Sequence, residues 1–176
     1  MSYFVVDVES DGPIPPKYSM VCFGAVKVDP SLSATFYGKT KPISELWKPE
    51  ALAISGFSRE EHETFDDPKT VMEDFKKWIR ENTQGRPIFI SDNNVYDWQF
   101  INYYFHYYLE NDKEPNPFGF SGRRIGDLYC GMKFDTYVRW KHLRKTRHTH
   151  NPVDDAMGNA EVLLQMKKMG LKIKLV

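Results

Sequence analysis

The sequence predicts a three-layer α/β fold, a mixed five-stranded sheet with an antiparallel first half and helices on both faces. Three observations carry this. Three apolar runs follow one another early with short connections, as in an antiparallel meander. After them strand-like runs alternate with segments of helical periodicity, which places helices against a sheet. The 176 residues, 41% of them apolar and 15% aromatic, suffice for one sizeable core. A single domain over residues 1–176 is expected, with no repeat, low-complexity tract or linker.

The elements follow in order. Tyr3 to Val8 reads as a buried strand and Ser19 to Val28 as a second, joined by a turn containing Gly12, Pro13, Pro15 and Pro16. Ala34 to Thr40 is the third. Ser58-Arg59-Glu60-Glu61 has the spelling of a capping box, and Asp67-Pro68 opens a helix with Val71, Met72, Phe75, Trp78 and Ile79 at helical spacing. Arg86 to Ser91 is a fourth strand. A second amphipathic helix runs from about Tyr96 to Leu109 and turns Ile101, Tyr104, Phe105 and Tyr108 to one side, with Asp97 on the same face. A loop from Asn111 to Gly122 leads to an expected strand at Arg124 to Leu128 and a helix reaching about Trp140. The last helix has Asn151 as N-cap and Pro152 at its first position, and Gly170 stops it near Met169.

Composition removes several functional classes. No apolar run approaches the roughly 20 residues of a membrane span, and no signal pattern opens the chain, so a cytoplasmic protein is expected. Cys22 and Cys130 are isolated, without zinc-ligand spacing, and are expected to be reduced. With 24 basic and 24 acidic residues the net charge is zero. A protein that grips long duplexes by counterion release carries a basic surplus, which this chain lacks. Carboxylates gathered around divalent cations, however, lower the formal charge while presenting a positive site to phosphate.

Three groups of acids stand where a purely structural sequence would not put them. Asp7 and Glu9 interrupt the apolar run Phe4 to Gly12 and, two apart in a strand, share a face at roughly 7 Å. Buried so close they repel unless a cation lies between them. Asp97 begins the inward face of a helix whose other members are apolar and aromatic. His150, Asn151, Asp154 and Asp155 cluster at the start of the last helix, where acids are also favoured by the helix dipole alone.

Taken in chain order, Asp-x-Glu, a mid-chain Asp and His-x4-Asp resemble the DEDDh exonuclease superfamily. "DVESDG" is similar to its Asp-x-Glu-Thr-x-Gly segment and "CFGAV" to its second strand. "ALAISGFSREE" resembles its loop before the central helices, "DNNVYDWQFI" its HNAxFDxxFL segment, and "HNPVDDA" its HxAxxDA ending. The resemblance runs from Phe4 to about Leu164 and is nearest to the RNase T-like bacterial 3'-5' exoribonucleases. Asp92 stands where the family has histidine, Asp11 where it has a small polar residue, and Asp154 is an additional acid.

The resemblance implies a ribonuclease-H-like fold and a metal-dependent 3'-5' exoribonuclease that releases nucleoside monophosphates from single-stranded RNA. It implies two Mg²⁺ or Mn²⁺ ions held by Asp7, Glu9, Asp97 and Asp155, with Asp7 bridging both. His150 is implied as general base, and His148 is set aside because it lacks the five-residue offset to Asp155. Ser10, Asp11 and Gly12 are expected to border the terminal sugar, and Phe57, Asn93 and Tyr96 to hold the terminal nucleotide. In the basic run Lys141 to His150, either a solvated helix end forms or Arg144, Lys145 or Arg147 holds the substrate backbone. A homodimer is also expected as a possible assembly. A DNA exonuclease, an inactive nucleic-acid-binding module and an endonuclease are the alternatives.

Overall fold

A computed structural model describes residues 1–175. Its sheet has the strand order β3-β2-β1-β4-β5, built from β1 (Ser2–Ser10), β2 (Met20–Lys27), β3 (Thr35–Lys39), β4 (Pro87–Ser91) and β5 (Gly122–Arg124). The first three pair antiparallel, whereas β4 and β5 run parallel to β1. The helices are α1 (Pro49–Ile54), α2 (Arg59–Glu63), α3 (Pro68–Glu81), α4 (Asn94–Tyr108), α5 (Ile125–Lys133) and α6 (Pro152–Lys168). No helix among the described residues is long and apolar enough to cross a membrane.

β1 is central and covered on both faces, which is why it reads as a nearly continuous apolar run rather than an alternating one. Phe4, Val6 and Val8 pack with Val71, Phe75, Phe100 and Tyr104 of α3 and α4. Tyr3 and Val5 pack on the other face with Ile125, Tyr129, Ala156, Ala160 and Leu163 of α5 and α6. By the two-residue period of a strand, Asp7 and Glu9 continue the second face. They therefore point toward α6.

Local chemistry explains the helix starts. Asp67 caps α3 through Lys69 N–H, and Ser58 and Glu61 form a reciprocal capping box on α2. Asn151 accepts from Val153 and Asp154 N–H at the head of α6, with Pro152 at its first position.

Two expectations fail between residues 122 and 140. The expected strand Arg124 to Leu128 is reduced to the three residues of β5, and Ile125 already begins α5. Ile125 and Tyr129, four apart, are both buried, so the short apolar stretch belongs to a helical stripe. The helix also ends at Lys133 rather than near Trp140, because Phe134 takes a left-handed conformation with φ 53°. The Lys141 to His150 run then forms one 3-10 turn (Lys141–Leu143) and a loop, not a helix end. Helix α1 has no counterpart among the sequence-based expectations, since it buries only Leu52 and carries little periodic signal.

One glycine decides how closely α6 approaches the sheet. Gly24 pairs with Asp7 across β1 and β2, and a Cβ there would strike the backbone of Pro152 and Val153. The missing side chain lets the α6 N-terminus settle on the strand row that holds Asp7. Gly24→Ala is expected to lower stability by about 2 kcal/mol through overpacking against a backbone that cannot yield. Urea unfolding checks this, and an unchanged midpoint would mean that α6 is not seated by that contact.

Candidate active site

The acids meet at the carboxyl end of β1, beside the parallel strand β4 whose following helix, α4, begins there. Crevices at strand carboxyl ends are where open α/β sheets place ligands. Asp7 and Glu9 come from the strand, and Asp155 from the first turn of α6. Asp7, Glu9 and Asp155 each present a carboxylate oxygen within 4.8 Å of the others. Asp97 enters from the opposite layer. It is 3% exposed, and its Oδ1 accepts the N–H of Val8, the residue between the two strand acids, at 3.2 Å.

Asp155 is 1% exposed and its two oxygens are held from one loop. Oδ1 accepts from Arg144 at 2.8 Å and from Thr149 N–H at 3.2 Å. Oδ2 accepts from His150 N–H at 3.0 Å and lies 2.7 Å from His148 Nδ1. Gly158, one turn along α6, leaves the space that the Arg144 guanidinium fills. His150 has φ 62°, is 49% exposed, and holds Nδ1 3.6 Å from Glu9 Oε1. That separation is longer than a hydrogen bond, so the ring is not committed to Glu9.

The family described as exonuclease, of RNase T type, matches residues 4–163. A 3'-5' DNA exonuclease of Escherichia coli, Cap18, is 37% identical over 184 residues, covering 97% of this chain and 94% of its own. The chain belongs to the exonuclease family. It is a 3'-5' exonuclease by that kinship, and the fold agrees. A 3'-exonuclease solved with a histone mRNA stem-loop superposes with a TM-score of 0.76 at 14% identity, over 98% of this chain and 65% of that one. E. coli exonuclease I with single-stranded DNA superposes with 0.73 at 17% identity, over 96% of this chain and 41% of its own. The chain thus spans less than two thirds of either solved protein, and at such identity the likeness concerns the fold.

The electrostatics of this exonuclease call for cations. Burial is the largest influence on Asp7, Glu9 and Asp97, and it disfavours their charged forms. Asp7 is raised well above the usual carboxylate range by burial and then by Asp97, Glu9 and Asp155, with Arg144 opposing. Burial, then Asp155, pushes Glu9 up to about 7, and burial lifts Asp97 to about 8, opposed by the neighbouring Ser91 hydroxyl and by the Val8 N–H bond. Asp97 Oδ2 is buried with no hydrogen-bond partner among the described residues. An orphaned carboxylate oxygen beside three more carboxylates fits a hard divalent cation such as Mg²⁺ or Mn²⁺. Cys22 offers no competing thiolate, since burial pushes its thiol up to about 12.

The expected nucleotide-holding residues divide. Ser10 is buried, and its hydroxyl donates to Gly12 carbonyl at 2.6 Å and pairs with Tyr96 Oη. Asp11 is fully buried, with oxygens taken by Ser19 N–H and Arg59. Both side chains brace the turn after β1 through these bonds. Gly12 is buried against the Tyr18 ring, which takes the space of a Cβ. Asn93 is exposed at the head of α4 with a free side chain, and Tyr96 is half-buried beside Ser10. Phe57 is half-buried, edge-on to Phe65 at 4.9 Å, with Lys39 Nζ over its ring. Lys39 pairs with Cys22, which pairs with Glu9, so Phe57 borders the row of the site.

Two residues take places at the site that the sequence did not assign them. Arg144 does not reach outward to a strand, because it is buried against Asp155; the signal for this was Gly158 inside an otherwise continuous helix. His148, set aside on spacing, touches Asp155 directly. The other two unexpected acids, besides Asp11, are also bound within the protein. Asp92 pairs with Lys141 at 2.8 Å, and Asp154 accepts from the Thr149 hydroxyl at 3.1 Å.

Raised carboxylate pKa values have a definite sign. Between the unfolded range near 4 and the folded values, the folded chain holds protons that the unfolded chain has released, so stability falls as pH rises. His62, buried and lowered to about 4, acts oppositely below its unfolded value of 6.5. The clean window is therefore pH 6.5 to 8. In EDTA, Tm is expected to drop by several degrees across it, and Asp97→Asn should flatten the drop; an equal slope in the variant would remove Asp97 as its source.

Proposed function

We propose that the chain is a divalent-metal-dependent 3'-5' exonuclease of single-stranded nucleic acid, with DNA ahead of RNA. The observation that carries this is the convergence of Asp7, Glu9 and Asp155 within 4.8 Å, with the uncommitted His150 ring at their rim. The order of DNA and RNA reverses the expectation drawn from the sequence. It is supported by the E. coli relative, named a DNA exonuclease, and by Ser10 and Asp11, whose polar groups are engaged internally where a ribose 2'-OH was to be sensed.

Asp7, Glu9, Asp97 and Asp155 would hold the cations, the partnerless Oδ2 of Asp97 being a free ligand atom. Bound divalent cations would supply charge neutralisation at the phosphoryl oxygens and acidity for the attacking water. The protein's own part is to place the water and move its proton. His150 accepts that proton, since its ring stands at the rim of the acids without a hydrogen bond to Glu9. His148, with Nδ1 on Asp155, orients the carboxylate. Arg144 holds the other oxygen of Asp155 and adds fixed positive charge.

A time course of 5'-labelled single-stranded DNA and RNA of one sequence, with Mg²⁺, Mn²⁺ or EDTA, tests the proposal. The expected result is a metal-dependent ladder shortening from the 3' end, with kcat/KM at least about tenfold higher on DNA. His150→Ala should lower kcat by about 10²- to 10⁴-fold, the usual range for loss of a general base. Asp7→Ala should bring activity to background. Full activity of Asp7→Ala would overturn the assignment of the site, and faster degradation of RNA would put RNA ahead of DNA.

A further inference from the structure

The segment between α5 and α6 forms a basic track that leads to the site. A cleft of about 460 Å³ is lined by Arg124, Arg139, Trp140 and Lys141. It continues through Lys141 into a second cleft of about 260 Å³, lined by Arg144, Lys145, Arg147 and His148. His148 is the residue that touches Asp155, so the far end of the track is the rim of the carboxylates. In a chain of zero net charge this concentration of cations on one path is local.

The cations differ in what they already bind. Lys141 pairs with Asp92, Arg124 with Asp127, and Arg144 with Asp155. Arg139, Lys145 and Arg147 are exposed and form no ion pair among the described residues. The loop itself is fixed, because Glu161 accepts the N–H groups of Lys145 and Thr146 at 2.8 Å each. A fixed backbone carrying unpaired cations is preorganised for a polyanion. On the same segment, five and two residues before Arg139, stand Phe134, 97% exposed, and Tyr137, 91% exposed. Two bare aromatic rings on a segment that carries free cations match a ligand that offers phosphates and unpaired base faces together.

We infer that this track holds the nucleotides of a single strand lying 5' of the bond to be cut. Arg139, Lys145 and Arg147 meet its phosphates, and Phe134 and Tyr137 stack its bases. The inference rests on the proposed function, which puts the 3' end at the carboxylates. A duplex hides its base faces and would leave the two rings without a partner.

The test compares wild type with the triple variant Arg139→Glu, Lys145→Glu, Arg147→Glu on a single-stranded 20-mer and on a dinucleotide too short to reach the track. KM for the 20-mer should rise about tenfold or more while KM for the dinucleotide changes less than twofold. The dependence of log affinity on log salt should become shallower by about 2, near 0.7 for each phosphate of a single strand that is no longer neutralised. Affinity of the 20-mer in EDTA, read by fluorescence anisotropy without turnover, should fall by a similar factor. Unchanged KM, salt slope and EDTA affinity would overturn the track, as would equal losses on the 20-mer and the dinucleotide. Failure of the proposed function appears separately, as a wild type that binds the 20-mer but cuts neither substrate.

Discussion

Mutual repulsion among four carboxylates at the end of one strand, Asp97 and Asp155 buried and Asp7 and Glu9 half-buried, is the constraint around which this fold is arranged. Asp7 and Glu9 share a strand face, Asp155 is delivered by α6, and Asp97 crosses from the opposite layer to accept Val8 N–H. The positions of Asp7, Glu9 and Asp97 disfavour charge, since burial first and neighbouring carboxylates second raise all three. What keeps the carboxylates together is packing elsewhere. The aromatic layer of Phe4, Phe75, Phe100 and Tyr104 fixes α3 and α4 on one face, and Ala156, Ala160 and Leu163 fix α6 on the other. The core thus supports an electrostatically unfavourable end.

Two small residues convert that packing into geometry. Gly24 lets the first turn of α6 rest on the strand row of Asp7, and Gly158 opens the space in which Arg144 lies against Asp155. Both replace a side chain with an approach distance. The loop that carries His148 and His150 is in turn tied to α6 through Glu161 and through both oxygens of Asp155. The same carboxylate that belongs to the acidic cluster also sets the histidines, so the proposed base and its site are positioned by one residue.

Much of this is legible in the sequence, and the parts that are not share a cause. The five acidic and histidine positions stand out because each breaks a pattern: two acids in an apolar strand, one on an aromatic helix face, and a His-x4-Asp at a helix start. Asn151, Pro152, Asp67 and Ser58 mark helix starts because caps are local. Ile125 to Leu128 misleads because four apolar-rich residues fit a strand or a buried helical turn equally, and only the burial of Tyr129 separates them. The internal bonds of Ser10 and Asp11 are not legible locally, because a sequence does not show which distant groups a polar side chain meets. Their partners, Tyr96, Ser19 and Arg59, lie 8 to 86 positions away in the chain. Arg144 is the same case, since a basic run looks solvated until its tertiary partner is known.

Charge balance links Arg144 to the rest. The site gathers four carboxylates, and a substrate diester adds one more negative charge when it arrives. In the proposed two-cation reading one of those charges would stay uncompensated, and Arg144, held against Asp155 and felt at Asp7, would supply the matching positive charge from within the protein. On that reading the assembly without substrate would carry a positive excess that draws a phosphate inward, and the bound diester would neutralise it. A buried arginine serves this role better than a lysine at the surface, because its planar fork is held in place and the low-dielectric surroundings leave its charge poorly screened.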